Sequence, residues 1–413
     1  MQINKPELLV PAGDFECLKV GVKNGADAIY IGGKIFGMRT ASSNFSKEEV
    51  IRASSYCHKN NVKLYLTCNT LPRNDELSEI NEFFRLANDA EVDAVILTDI
   101  GLFYKAKELL NKNIELHVST QAGIVNSLTA KTFENIGADR IILARELSFA
   151  EIKDIKQSLN PNTVIECFVH GAMCMSFSGR CLISNYLTGR DSNRGDCAQC
   201  CRWKYALVEE KRPGEYYPII DDGEGTFLFN SKDLCMIEYI PELVRSGIGS
   251  FKIEGRAKSA YYVSTITNAY RKAIDDYFLH LDDDNYSLDD NIKSEVLKVS
   301  HRTYCTGYYF DNPQENSQID LNGGYIREYE VSAIVEEIKG DRAIIRLKNK
   351  FFDGDTLDAL SISGESKIFT VSMLKDDQNK KVDFANRPEY FYSIKNESLS
   401  KGTVLRRKIK TSE

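Results

Sequence analysis

Short apolar runs recur along the chain as far as residue 253, and a helical segment follows each of them. The predicted strands are residues 7–10, 27–31, 63–66, 94–97, 115–118, 140–143, 164–169 and 250–253. The predicted helices include residues 48–60, 75–88, 128–136 and 259–279. A succession of eight strand–helix units predicts an α/β fold, a (β/α)8 TIM-like barrel, with an open doubly wound sheet as the alternative.

Polar residues follow most of the predicted strands. In a (β/α)8 barrel the active site lies at the C-terminal ends of the strands. The polar residues at those ends are Asn69, Asp99, Gln121, Arg145, Glu146, His170, Glu254 and Arg256. Each one alone could equally be a helix cap or an ion-paired rim residue, but their shared face predicts a functional site. We expect catalytic roles for Arg145, Glu146, His170, Glu254 and Arg256, and cofactor binding by Arg39, Asn69 and Gln121.

Cysteines concentrate in residues 166–203, which hold six of the eleven in the chain. The strand at 164–169 breaks at His170-Gly171, and the loop that follows is rich in Gly, Ser and Arg. Cys174 and Cys181 form C-x6-C, and Cys197 and Cys201 form C-x3-C. Four thiolates in one polar loop favour an iron–sulfur cluster. Structural zinc, which usually has tighter pairs, disulfides and buried free thiols are the alternatives.

A long insertion separates predicted strands seven and eight. Asn230-Ser231 reads as the N-cap of a helix that would carry Cys235 in its first turns. That helix would start on the same face of the barrel as the cysteine loop. Cys235 is therefore a spare candidate ligand, although a small apolar helix residue is the simpler interpretation.

The apolar pattern changes to a period of two from Tyr325 onward, which predicts a small antiparallel β-barrel. Arg406, Arg407, Lys408 and Lys410 near its end predict a basic patch that binds RNA phosphates, with a dimerisation module as the alternative. The predicted domains are a catalytic barrel at 1–290, with a cysteine-rich loop at 171–203, a linker at 291–324 and a C-terminal β-barrel at 325–413.

The overall charge is acidic, with a formal net charge of −7 and an isoelectric point of about 5.5. Any RNA-binding surface must therefore be local. The sequence has no secretory h-region at its start and no run that approaches a membrane span. We therefore expect no membrane association, and a reducing cytoplasm for the free cysteines.

Four segments resemble the peptidase U32 family: PELLVPAG, FVHGAMCMSFSGRCLISNY, GDCAQCCRW and FKIEGRAKS. The resemblance covers nearly the whole chain and is strongest to the branch that hydroxylates tRNA, forming 5-hydroxyuridine at the wobble position. It implies tRNA as substrate, a 4Fe–4S cluster held by Cys174, Cys181, Cys197 and Cys201, and prephenate as a required metabolite. Cys200 or Cys235 could replace Cys201 as the fourth ligand. Arg145, Arg256 and Arg39 are candidates for the two carboxylates of prephenate, from their barrel positions.

The family name implies a peptidase, which is the main alternative. The sequence has no H-E-x-x-H motif and no suitable G-x-S-x-G elbow. His170 with the nearby thiols is its one Cys/His arrangement, and a cluster would consume those thiols. A non-catalytic partner of a second U32 protein is the third hypothesis.

Overall fold

The computed structural model describes residues 4–34, 44–174, 176–177, 180–203, 207–208, 216–217, 231–283, 285–310, 324–361, 366–396 and 398–409. Its first twelve strands are β1 (Glu7–Ala12), β2 (Ala28–Gly32), β3 (Lys63–Cys68), β4 (Ala94–Leu97), β5 (Glu115–Val118), β6 (Arg140–Ile142), β7 (Val164–Ala172), β8 (Leu207–Val208), β9 (Tyr216–Tyr217), β10 (Asp233–Cys235), β11 (Ser250–Ile253) and β12 (Tyr304–Cys305). Strands β1 to β7 pair in sequence order, and all of these pairs are parallel. Strand β11 pairs with both β1 and β7, which closes the barrel and confirms the predicted fold class.

The helices are α1 (Phe15–Lys23), α2 (Lys47–Lys59), α3 (Ile80–Asp89), α4 (Ile100–Leu109), α5 (Ser127–Asn135), α6 (Phe149–Ser158), α7 (Ile183–Thr188), α8 (Ile240–Arg245), α9 (Ala260–Leu279) and α10 (Asp290–Glu295). Many begin at a polar cap whose side chain accepts a hydrogen bond from the backbone N–H three residues on. These caps are Asp14, Ser46, Asp99, Asn126, Ser148 and Ser259. Such caps satisfy N–H groups that have no partner within the helix, so the helix starts are fixed by the sequence itself.

Two short strands extend the sheet outside the barrel, and one of them corrects a prediction. Strand β10 is antiparallel to the end of β7 and parallel to β12. Cys235 therefore lies in a strand and not in a helix, while Asn230 falls outside the described residues. The reason is a buried ion pair: the Arg302 guanidinium donates to Asp233 Oδ1 from Nε at 3.0 Å, which ties β10 to the chain just before β12.

Residues 291–310, predicted as the start of a linker, pack against the barrel. They contain most of α10, a 3-10 turn at Val296–Lys298 and β12. Val296, Val299 and Tyr309 belong to the same buried apolar cluster as the barrel strands. The rest of the predicted linker, residues 311–323, lies outside the described residues.

The C-terminal region is antiparallel, as predicted. Its strands are β13 (Tyr329–Lys339), β14 (Arg342–Leu347), β15 (Phe351–Phe352), β16 (Thr356–Leu360), β17 (Lys367–Thr370), β18 (Phe384–Ala385), β19 (Phe391–Lys395) and β20 (Val404–Lys408). Six of them form a sheet in the order β17-β16-β20-β13-β14-β19, and β15 pairs with β18. These strands enclose an apolar cluster of their own, which is separate from the barrel core.

Both arginines of the basic patch predicted at residues 406–410 are ion-paired. Arg406 is fully buried and contacts Glu295 Oε2 at 2.6 Å and Asp358 Oδ2 at 3.0 Å. Glu295 belongs to α10, so this ion pair joins the C-terminal sheet to the barrel. Arg407 is paired with Glu330, and Lys410 lies outside the described residues. The phosphate-binding role predicted for Arg406 is therefore wrong, because its side chain faces the domain interface.

Candidate active site

A pocket opens at the C-terminal ends of the barrel strands, between those ends and the cysteine-rich loop. The residues of the predicted site that line it from the barrel are Asn69, Gln121, Arg145, Glu146, Glu254 and Arg256. The four candidate thiols line it from the loop: Cys174, Cys181, Cys197 and Cys201. The structure thus brings together residues that span positions 69 to 256 of the chain, as the barrel interpretation requires. Arg39 falls outside the described residues.

His170 does not line the pocket, which corrects its predicted position. Strand β7 continues past it to Ala172, and pairing with β10 encloses its side chain. The imidazole lies among the rings of Tyr262, Tyr270 and Tyr304, with centroids 5.3–6.1 Å away. Burial lowers the pKa of His170 to about 3, so the ring is neutral at physiological pH. A catalytic role in this pocket is not available to a side chain held behind the barrel wall.

Asp99 is a helix cap, which was the alternative to a functional role for the polar residues at strand ends. Its carboxylate accepts a hydrogen bond from the backbone N–H of Leu102 at 3.0 Å and caps α4. It does not appear among the residues that line the pocket. Its position at a strand end therefore reflects the start of the next helix.

Two arginines reach the pocket from different strands. Arg256 is 4 % exposed, and its Nη1 donates to Thr67 Oγ1 at 3.3 Å. Gly32 makes room for this guanidinium, because a Cβ there would stand 1.9 Å from Arg256 Nη1. Arg145 is half-buried, donates to the carbonyl of Ala172 at 2.8 Å and stacks 4.0 Å from the centroid of Phe168. Both guanidinium groups are thus held in place before any ligand binds.

The remaining barrel residues of the predicted site are polar and half-buried. Glu254 Oε2 accepts a hydrogen bond from the hydroxyl of Tyr30 at 3.4 Å. Asn69 accepts a hydrogen bond from Thr98 at its backbone carbonyl, and Gln121 does the same from Arg180. The side chains of these residues therefore supply carboxylate and amide groups to the pocket wall.

The cysteine-rich loop is fastened to the barrel by two arginines. Arg180 donates to the carbonyl of Gln121 from Nε at 3.0 Å and from Nη2 at 2.7 Å. Arg194 Nη1 donates to Glu76 Oε2 at 2.9 Å. Within the loop, Ser192 Oγ donates to the carbonyl of Cys181 at 2.6 Å. These contacts hold an otherwise polar segment over the pocket, where apolar burial could not.

The thiols are close enough to influence one another. Burial raises the pKa of Cys201, and the neighbouring Cys174, Cys197 and Cys181 raise it further. Partial burial also acts on Cys181, but hydrogen bonds from the Ser176 side chain and from the N–H groups of Ile183 and Ser184 outweigh it and lower its pKa. A lowered pKa favours the thiolate, which is the form that binds metal.

These thiols fit a metal or iron–sulfur group by donor type and by convergence on one pocket. Within the described part of the chain, no group of three or more His, Cys, Asp or Glu side chains is already arranged to hold a metal ion. Cys200 also lines the pocket, whereas Cys235 lines a different cavity together with Cys305. The pocket therefore offers Cys200 as a further thiol and places Cys235 apart from the other candidates.

Sequence reasoning missed Lys252, which lines the pocket from the interior of β11. Its side chain is 5 % exposed, and Nζ contacts Glu166 Oε1 at 2.7 Å. The ammonium lies 4.4 Å from the centroid of the Tyr30 ring and 5.5 Å from that of Phe168. Burial lowers the pKa of Lys252, and the charge of Glu166 opposes that effect. A lysine in the middle of the apolar run Ser250–Ile253 was the signal that could have revealed it.

Below Lys252, the barrel interior contains a buried charge network. Glu166 Oε2 accepts hydrogen bonds from Arg140 Nη1 at 2.8 Å and from Ser250 Oγ at 3.1 Å. Arg140 also contacts Glu7 Oε1 at 2.5 Å. Burial raises the pKa of Glu166, but the charges of Lys252 and Arg140 outweigh it, so that the net shift is downward. The two carboxylates and two cations balance, which is what makes burial of this network tolerable.

Comparisons with known proteins agree with this architecture. The model of peptidase family U32 matches residues 13–319, and that of the peptidase family U32 C-terminal domain matches residues 327–406. The chain belongs to peptidase family U32. An uncharacterized protease of Methanocaldococcus jannaschii is 43 % identical over 359 residues, covering 85 % of this chain and 86 % of that protein.

Two further relatives of this U32 protein carry a different name. The tRNA hydroxylation protein P1 of Bacillus subtilis is 34 % identical, in an alignment that covers 93 % of this chain and 90 % of that protein. The tRNA hydroxylation protein P of Escherichia coli is 32 % identical, with 92 % and 91 % covered. In the described residues, no helix combines the length and the apolar character that crossing a membrane requires.

Proposed function

We propose that this U32 protein hydroxylates tRNA, forming 5-hydroxyuridine at the wobble position. The observation that carries the proposal is the shared pocket, in which four cysteine thiols face buried arginine and lysine side chains at the mouth of the barrel. Relatives named tRNA hydroxylation proteins match nearly the full length of the chain, which supports this substrate class.

The proposed cofactor is a 4Fe–4S cluster held by Cys174, Cys181, Cys197 and Cys201. When bound, such a cluster would supply one-electron transfer, which an oxidation of RNA can use and a peptide hydrolysis does not require. The chain itself supplies the thiolates, of which Cys181 is favoured by its hydrogen bonds. Cys200, in the same pocket, is the alternative fourth ligand.

The proposed co-substrate is prephenate, whose carboxylates match the guanidinium groups of Arg145 and Arg256. Planar guanidinium groups bind carboxylates through paired hydrogen bonds, and both of these are already fixed by contacts to the protein. Glu254 stands on the same wall and can hold or accept a proton at its carboxylate.

The cysteine-rich loop offers contacts suited to RNA. Tyr186 on α7 is 88 % exposed, and Trp203 at the end of the loop is also exposed. Of the four arginines in the loop, Arg180 and Arg194 fasten it to the barrel, which leaves Arg190 and Arg202 for phosphate contact. Exposed rings can stack on unpaired bases, and arginines can contact phosphates. This local surface replaces the C-terminal patch as the proposed site of RNA contact.

The proposal is tested by nucleoside mass spectrometry of tRNA from cells in which the gene is deleted and then restored. We expect 5-hydroxyuridine and its derivatives to disappear in the deletion and to return with the wild-type gene. Arg256→Met should fail to restore them, whereas Arg407→Met on the remote β20 should restore them fully. Unchanged 5-hydroxyuridine in the deletion strain would contradict the proposal.

The second candidate is a peptidase, which the name of the Methanocaldococcus relative suggests. The chain has five histidines, all within the described residues, and none of them lines the pocket. The pocket thiols therefore have no imidazole base beside them, so a Cys–His peptidase mechanism is disfavoured. Cleavage of gelatin that survives Cys174→Ser and Cys181→Ser would move the peptidase to first place.

A further inference from the structure

The buried end of the pocket contains one ammonium group with unused hydrogen-bonding capacity. A lysine ammonium has three N–H donors. Among the described residues, Glu166 Oε1 is the only hydrogen-bond partner of the Lys252 ammonium group. The faces of Tyr30 and Phe168 lie beside the ammonium, but they attract its charge without accepting a directed hydrogen bond as an oxygen would. The remaining donors are left for whatever occupies the pocket.

The purely structural explanation of Lys252 is incomplete. Glu166 is already bound by Arg140 and Ser250, so it has partners without the lysine. Lys252 supplies one of the two cations that balance Glu7 and Glu166, but this role leaves its remaining donors unmatched, and a buried donor without an acceptor costs free energy. Lys252 also lines the open pocket, whereas Arg140, the other cation of the network, does not.

The other residues that line the pocket indicate the chemistry of a ligand that would bind Lys252. Ile96, Ile142 and Phe168 supply apolar side chains to the lining of the pocket. Arg256 adds a second buried cation on the same wall. The thiols lie on the opposite side, in the cysteine-rich loop. An apolar ring with a carboxylate at one end matches this arrangement.

We propose that Lys252 anchors a carboxylate of a small cyclic acid at the buried end of the pocket and thereby turns the ring of that acid toward the cysteine-rich loop. This inference rests on the proposed function, because the acid is the co-substrate of that reaction. The inference adds Lys252 to the residues that bind the acid, as a carboxylate partner that is more deeply buried than Arg145. The uracil of a tRNA would approach from the loop side, so Lys252 should not contribute to RNA affinity.

The test is isothermal titration calorimetry of the full chain with prephenate as the probe, beside a filter-binding assay with tRNA. Lys252→Met keeps the length of the side chain and removes its charge. Because this change leaves Glu166 with one cation fewer, the double variant Lys252→Met/Glu166→Gln removes the surplus negative charge and guards against unfolding, and circular dichroism checks both. Lys252→Arg keeps the positive charge.

We expect both Lys252→Met variants to bind prephenate at least about tenfold more weakly, the size of one charge-assisted hydrogen bond. Lys252→Arg should lose less, and all variants should bind tRNA as the wild type does. Wild-type affinity for prephenate in the double variant would overturn the proposal, as would a loss of tRNA affinity without a loss of prephenate affinity. Failure of the wild type to bind prephenate would also overturn it, and nucleoside mass spectrometry would then show separately whether the proposed function survives.

Discussion

The ion pair between the two domains supports a quantitative prediction for Arg406→Met. Arg406 is fully buried and contacts Glu295 at 2.6 Å and Asp358 at 3.0 Å. Lys298 contacts the same two carboxylates at 2.7 Å and 2.9 Å, so two cations balance two anions. Removing Arg406 leaves the two buried carboxylates with Lys298 as their one remaining cation in this network, and therefore with one negative charge unbalanced. Breaking a buried pair in this way costs about 3–5 kcal/mol of unfolding free energy.

The matched control is the neighbouring Arg407→Met. Arg407 is about a third exposed and pairs with Glu330 at 2.7 Å, so its loss should cost roughly 1 kcal/mol or less. Urea titration followed by circular dichroism measures both variants. The double variant Arg406→Met/Asp358→Asn restores the charge balance with Lys298 and Glu295 and should recover part of the loss. Equal destabilisation by Arg406→Met and Arg407→Met would refute the reasoning.

Three further predictions concern the barrel and its loop. His170→Phe should reduce the pH dependence of the unfolding free energy. Between pH 6.5 and about pH 3 the histidine is protonated in the unfolded chain but not in the folded one, so lowering the pH costs the wild type up to about 1.4 kcal/mol of unfolding free energy per pH unit. Urea titrations at several pH values measure this slope, and an unchanged slope in the variant would contradict the prediction. Tyr186→Ser should weaken tRNA binding by about 1–3 kcal/mol if a base stacks on the ring, with filter binding as the assay and equal affinity as the contrary result. Arg194→Met should free the cysteine-rich loop from Glu76 and speed its limited proteolysis without changing the circular dichroism of the barrel, whereas a cleavage rate equal to that of the wild type would argue against this anchor.

The eight barrel strands could be predicted because strands of a parallel barrel are buried on both faces and read as short apolar runs. Treating these runs as uniformly apolar gives no indication of the charged residues that they contain. Arg140, Glu166 and Lys252 each lie inside a predicted strand, and their partners come from strands far apart in sequence. Only closure of the barrel brings Glu7 and Lys252 into one network, so the pairing could not be read from sequence spacing.

The errors at His170 and Arg406 have related causes. The sequence predicts a strand end at Gly171, but this residue has φ +111°, and a Cβ there would stand 2.5 Å from the carbonyl oxygen of Glu254. The glycine therefore permits close strand packing, and β7 continues. For Arg406, the period-two pattern identifies alternating faces of a strand but not the partner that covers one of them. Both positions depend on contacts with a segment distant in the chain.

The central claim, that the thiol-lined pocket is an iron–sulfur site, is tested most directly by counting iron and acid-labile sulfide in anaerobically purified protein. The account predicts a brown protein with roughly four of each per chain. Cys181→Ser should lose them with the barrel still folded, and Cys235→Ser, whose thiol lies outside the pocket, should retain them. Colourless wild-type protein that holds one zinc ion per chain would contradict the account.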